Sequence, residues 1–229
     1  MRPDKLEATV RKLCPLVVEQ SQRNQYVQLG EGDVILELVC CILSSQVPYA
    51  MAVAATRKLE VKGLLNCERW RKYDVQFGAD VEGALLEEIE MEGRRRKYRF
   101  PYVRARQITS GRDTILRNCG GLTEMLENAT DPLLLRRRVV GTVCGLGAKQ
   151  ASMFIRNVEL SFELAILDRH VLRYMAMIGL IDTVPTSLSI AKYEGLEIKI
   201  QKYADAIGYR TGHVDWAIWI TMQAAREVN

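Results

Sequence analysis

Residues 139–173 read VVGTVCGLGAKQASMFIRNVELSFELAILDRHVLR, and the fold is decided by the way this stretch turns on itself. Apolar residues at Leu133, Leu134, Val139 and Val140 bring one helix to the tight turn Cys144-Gly145-Leu146-Gly147; Ala151, Phe154, Ile155 and Val158 carry a second helix away. Two helices joined by so short a glycine turn make a hairpin. Glycine at 145 and 147 is expected to allow positive φ and to leave main-chain N–H groups uncovered at the mouth of the second helix. Free donors and the helix dipole together attract a phosphate there.

Lys149 falls in the first turn of the outgoing helix, where the dipole disfavours an ammonium. Further on, Leu164-Ala165-Ile166-Leu167 reads as a buried, strand-like run that delivers Asp168 to the start of another apolar-periodic helix, followed by Arg169 and His170. An amine at a helix mouth and a carboxylate leaving a buried run are the two groups that Schiff-base chemistry needs.

The chain has 229 residues and is 48% hydrophobic, enough for one substantial core or two small lobes. Glu37 and Arg173 interrupt the two most apolar stretches, and the opening MRPDKLEATVRKL has no apolar signal core. A soluble, intracellular protein is therefore expected, with no membrane partner. Cysteines stand at 14, 40, 41, 67, 119 and 144 with no CxxC, which excludes a four-cysteine iron–sulfur loop. With two histidines a zinc site is not expected, and Cys40 and Cys41 read as reduced core thiols.

The formal charge of +4 is unevenly spread. Residues 94–138 hold twelve basic side chains against four acidic ones, +8, which leaves −4 for the remainder. Interleaved with Tyr98, Phe100 and Tyr102, such a strip suits a polyanion, the alternative being a solvated face.

Residues 4–29 have helical spacing at Leu6, Val10, Leu13 and Val17, with Pro15 expected to kink or divide the helix. Asp33 is expected to cap an almost wholly apolar helix over 34–43, the central wall, which ends at Ser44-Ser45-Gln46. Pro48 opens the next helix at its first position, residues 80–91 read as an acidic helix, and Arg94-Arg95-Arg96-Lys97 lie in a surface connection. Arg104, Arg106 and Arg112 ride a helix that starts near Pro101 and is broken at Gly120-Gly121; a short helix spans 122–129. Asp131 and Pro132 start the first hairpin helix; amphipathic helices follow over 187–207, ended by Gly208, and over 214–226. With no sustained period-two alternation, the fold is expected to be all-α.

Gly145-x-Gly147-x-Lys149 followed by Asp168-x-His170 resembles the lyase-competent branch of the helix-hairpin-helix DNA glycosylase superfamily. With ILSSQ (42–46), YRFPYVRARQI (98–108) and VDWAIW (214–219), the chain is similar over nearly its whole length to the compact, archaeal-type 8-oxoguanine DNA glycosylases. The resemblance implies a two-lobed all-α fold with the active site in the cleft between lobes. Residues 34–160 would form the hairpin-bearing lobe and 1–33 with 166–229 the other, Lys149 and Asp168 facing each other. It also implies a bifunctional glycosylase and AP lyase of base excision repair that excises an oxidised purine, foremost 8-oxoguanine, from double-stranded DNA without a required cofactor. Nothing in the sequence demands more than a monomer.

In that likeness Lys149 attacks C1′ of the sugar, Asp168 stabilises the positive charge that develops there, and β-elimination cuts the strand. Gln46 fills the gap left by the extruded nucleotide, although simple helix capping would also explain its turn. The amides of Gly145 and Gly147 grip the backbone, and His170 meets a phosphate. Trp219 lies near the base pocket or else fills the core. The carbonyls of Gly141, Val143 and Leu146 bridge a monovalent cation to phosphate. The family's terminal lysine is missing, since the chain ends Arg226-Glu227-Val228-Asn229. Another oxidised or mismatched base therefore stays open as the lesion, and the hairpin alone would also suit a non-catalytic binder of DNA structure.

Overall fold

The computed structural model describes residues 2–24, 29–91, 93–127 and 131–227. The chain divides into two compact units, Leu29–Val158 and Met1–Gln28 with Glu159–Asn229. Among the described residues the fold is all-α apart from one two-stranded hairpin.

The middle unit is built around α2 (Glu31–Leu43), in which every side chain from Leu38 to Leu43 is buried. Each such aliphatic side chain contributes about 1.5–3 kcal/mol on burial. α2 packs against α3 (Tyr49–Val61), α6 (Pro101–Cys119) and α9 (Ala148–Asn157). The cap differs from the expected one: Gly30 is the N-cap, and Asp33 sits a turn inside, its carboxylate accepting the Gly30 N–H at 2.9 Å. Pro48 likewise stands outside α3 as its N-cap. Between α3 and α6 come α4 (Cys67–Arg71) and α5 (Phe77–Leu86); after α6 come α7 (Leu122–Leu126) and α8 (Pro132–Thr142). Residues 128–129 of the expected 122–129 helix lie outside the described residues.

The expected acidic helix over 80–91 is corrected to α5, which starts earlier and stops at Leu86. Lys58 and Lys62 hold the Glu87 carboxylate at 3.1 and 2.8 Å, Lys58 also bonds the Glu88 carbonyl, and Ile89 is buried. The chain is thereby drawn out of the helix. β1 (Ile89–Met91) then pairs antiparallel with β2 (Arg94–Arg96), Ile89 opposite Arg96 and Glu90 opposite Arg95, through a tip where Gly93 has φ +72°. The arginine run expected in a connection is thus a fully exposed edge strand.

Not all of the basic strip faces solvent. The Arg112 guanidinium lies 3.9 Å over the Phe77 ring, bonded to Asp113, while Trp70 meets the same ring edge-on. Arg104, Arg112 and Arg136 are all buried, so the basic surface is narrower than the charge count suggests.

The other unit holds α1 (Pro3–Asn24), α10 (Arg169–Met177), α11 (Ile190–Ile207) and α12 (Thr211–Glu227). α1 runs through Pro15 without being divided there. Its buried stripe of Leu6, Val10, Cys14, Val17 and Ser21 faces inwards against α12, and Pro15 lies on the exposed side, where water can satisfy the carbonyl that its missing N–H leaves open. α11 is capped by Ser189 and ends at Gly208, φ +81°.

Candidate functional site

The hairpin is fixed by caps at both helices. Asp131 accepts from Leu133 N at 2.8 Å at the head of α8, and the buried Val143 and Leu146 pin the turn. Gly145 has φ +91°, as its glycine identity suggests, but Gly147 does not: at φ −92° and ψ 178° it is an extended N-cap of α9. With no side-chain cap there, the amides of Ala148, Lys149 and Gln150 precede the first bond of the helix, Ala151 N to Gly147 O at 2.9 Å. Three donors without intrahelical partners and the positive dipole end thus lie together at the start of α9. Gly141, Val143 and Leu146 lie where α8 ends and the turn begins, and the Val143 carbonyl accepts Leu146 N at 3.3 Å.

Lys149 is the second residue of α9, half-buried, and makes no hydrogen bond or ion pair within its unit. On the facing wall of α2, Glu37 Oε1 accepts from Asn157 Nδ2 at 2.8 Å and from the Cys41 thiol at 3.2 Å. Burial and then the Glu37 charge push the Cys41 thiol well above its usual range; Lys149 is near enough to act on it in the opposite sense. Asn157 at the end of α9 thus meets Glu37, and Lys149 at its start acts on Cys41 through space.

Burial also raises the Glu37 carboxyl above the usual range, against the hydrogen bonds from Asn157 and Cys41. A group raised on folding contributes stability that is present below its unfolded pKa and lost as pH rises through the folded one. Glu37→Gln keeps the acceptor oxygen and removes that titration. Melting temperatures of the two proteins are expected to agree near pH 4 and to diverge in favour of the variant as pH rises; a gap independent of pH refutes this.

Gln46 has φ +64°, one of two described non-glycine residues in the left-handed region, and is exposed. Such strain persists only where the surroundings impose it. Here the Tyr98 hydroxyl bonds the Leu43 carbonyl at 2.7 Å and Arg104 Nη2 bonds the Ser45 carbonyl at 2.9 Å.

In the other unit, residues 164–167 are buried without a strand partner, and their polar backbone is satisfied by side chains. Ala165 N donates to Glu197, Ile166 N to Asp215 and Leu167 N to the Tyr193 hydroxyl, which itself donates to the Ala165 carbonyl. Sequence reading missed these carboxylates, although both stand at positions whose helical spacing points inwards; Glu197 is 5% and Asp215 1% exposed. The run delivers Asp168 as N-cap of α10, Oδ1 accepting from His170 N at 2.8 Å and Val171 N at 2.9 Å. Oδ2 has no hydrogen bond within the unit, and Asp168 and His170 are both half-buried. Trp219, one turn beyond Asp215 on α12, is 39% exposed and so is not core filler.

Among the described residues no three His, Cys, Asp or Glu side chains are grouped as metal ligands, and no helix is long and apolar enough to cross a membrane. Burial pushes the Cys14 and Cys40 thiols up to about 11.

Residues 79–209 match the Ogg-HhH family, 8-oxoguanine DNA glycosylase, a span that includes Lys149, Asp168 and His170. The 8-oxoguanine DNA glycosylase/AP lyase of Thermotoga maritima is 29% identical over 218 residues, 93% of this chain and 92% of that protein. That of Saccharolobus solfataricus is 31% identical over 186 residues, 80% and 79% of the two chains. The crystal structure of the T. maritima 8-oxoguanine DNA glycosylase superposes with a TM-score of 0.71 at 27% identity, covering 95% of this chain and 93% of that one. Methanocaldococcus jannaschii 8-oxoguanine glycosylase/lyase, in complex with a 15mer DNA containing 8-oxoguanine, shares the fold at a TM-score of 0.71 and 20% identity, over 93% and 94%.

Proposed function

We infer that this chain, which belongs to the Ogg-HhH family of 8-oxoguanine DNA glycosylases, removes 8-oxoguanine from double-stranded DNA and cuts the strand at the abasic site that remains. The observation that carries the inference is Lys149, set without a partner in its unit at the open mouth of the glycine hairpin.

Extruding the nucleotide costs a few kcal/mol, less for a damaged base. The α9 amides hold the backbone phosphate, His170 meets a second phosphate, the outward Gln46 enters the gap in the stack, and Trp219 offers its ring to the base. Lys149 Nζ gives its lone pair to C1′; the C1′–N9 bond breaks, its electron pair leaves with the base, and a proton follows. Asp168, through the oxygen its cap leaves free, stabilises the cationic sugar carbon and assists these proton transfers. Ring opening yields an iminium between Nζ and C1′, loss of a C2′ proton expels the 3′ phosphate, and water returns the free amine. The carbonyls of Gly141, Val143 and Leu146 are suitably hard donors for a monovalent cation, which would add positive charge beside the gripped phosphate.

Borohydride trapping on 8-oxoguanine and abasic duplexes, with a panel of single-lesion duplexes scored for free base, tests this. A covalent adduct and free 8-oxoguanine are expected. Release of a different base would reassign the lesion, and binding with no release would leave a DNA-structure binder.

The exposed β2 strand should add to the grip. Changing Arg94, Arg95 and Arg96 together to Ala is expected to lower the slope of log affinity against log salt by about 2–3 on undamaged duplex. An unchanged slope with a new tendency to aggregate would make these arginines guards of a sheet edge instead.

A further inference from the structure

We propose that Arg104 and Gln107 form a positioning brace that ties the Gln46 turn to the Gly145 turn and so sets the spacing between the element that enters the base stack and the element that holds the backbone. The brace runs through one unit without interruption. Arg104 Nη2 bonds the Ser45 carbonyl at 2.9 Å, next to Gln46, and Nη1 bonds Gln107 Oε1 at 2.5 Å. The Gln107 carboxamide in turn lies directly against Gly145: a Cβ at that glycine would stand 2.4 Å from its carbon. φ +91° favours glycine at 145, and any side chain there would displace the Gln107 carboxamide.

Arg104 is 6% exposed with its guanidinium 5.8 Å from the Phe100 ring centroid; both of its hydrogen-bond acceptors are neutral, it makes no ion pair within its unit, and its Nε has no hydrogen-bond partner among the described residues. A buried cation without a carboxylate opposite it is a costly way to fill space. Its place at the carboxyl end of α2, where carbonyls lack partners, offsets part of that cost and fixes the fork on the turn that carries Gln46. The guanidinium is held by two hydrogen bonds and the carboxamide it bonds is wedged against Gly145, so a shift of the Gln46 turn on base extrusion is passed to the backbone grip.

The proposal rests on the glycosylase reading, and its test separates the two. Gln107→Ala removes the strut but keeps the charge; Arg104→Lys keeps the charge but cannot reach both acceptors with one fork. Each is compared with the wild type by melting temperature, by affinity for undamaged duplex, by fluorescence of 2-aminopurine beside an abasic-site analogue, and by single-turnover base release at saturating enzyme. Extrusion fluorescence and base release are expected to fall at least about tenfold in both variants, with affinity within about twofold and melting little changed. Wild-type extrusion in both variants overturns the brace, as does a loss that follows melting temperature and affinity. Should the wild-type chain release no base from any lesion, the catalytic reading fails, and the fluorescence still decides the brace.

Discussion

Lys149→Gln is expected to abolish borohydride trapping and to slow base release at least about 10³-fold, while undamaged duplex is bound within about twofold of wild type. Glutamine is one bond shorter, uncharged and suits a helix as well as lysine does. No hydrogen bond or ion pair within the unit is lost, because Lys149 makes none. Removing a cation from the first turn of α9 should, if anything, stabilise the helix by about 0.3–1 kcal/mol. The loss therefore isolates the nucleophile. Affinity falling in step with trapping would make Lys149 a phosphate contact, and an adduct that survives the change would put the nucleophile on another residue.

What the sequence made legible was local. Asp131 and Pro132 at the head of α8, and Gly120 and Gly208 at the ends of α6 and α11, act within one turn of where they stand, and the structure finds them there. Asp168 and the glycine turn belong to the same class. The β1–β2 hairpin was not legible: three-residue strands are too short to show a period, and the lysines that hold the chain beyond α5, Lys58 on α3 and Lys62 at its C-cap, stand 30 and 25 residues back in the chain. Residues 164–167 looked like a strand because they are apolar throughout, yet the partners of their amides are carboxylates and a phenol 26 to 49 residues further on.

Charge counting misled in the same way. Arg104 and Arg112 stand within a basic run and read as surface, whereas one guanidinium is buried between the Ser45 carbonyl and Gln107 and the other stacks on Phe77. Composition reports how many charges there are; only the long-range fold decides which face water. Gly147 shows the limit from the other side, since a glycine in a turn need not have positive φ, and here its use lies in leaving the α9 amides uncovered.

Asp168 has two roles to separate, because the oxygen that caps α10 and the oxygen assigned to catalysis belong to one carboxylate. Asparagine caps a helix about as well as aspartate. Asp168→Asn should therefore keep the bonds from His170 N and Val171 N and lose at most about 1 kcal/mol, the share due to charge at the helix dipole. Asp168→Ala loses the cap as well, at a cost of about 0.5–2 kcal/mol. If the carboxylate serves only as a cap, Asn is active and Ala is impaired in proportion to its stability. If it stabilises the sugar cation, both lose base release by about 10²–10⁴-fold although only Ala is destabilised. The effect should also depend on the substrate: a pre-formed abasic site has no base left to expel, so trapping there is expected to suffer less in Asp168→Asn than excision of 8-oxoguanine. Equal loss on both substrates would assign the carboxylate to formation of the Schiff base and not to departure of the base.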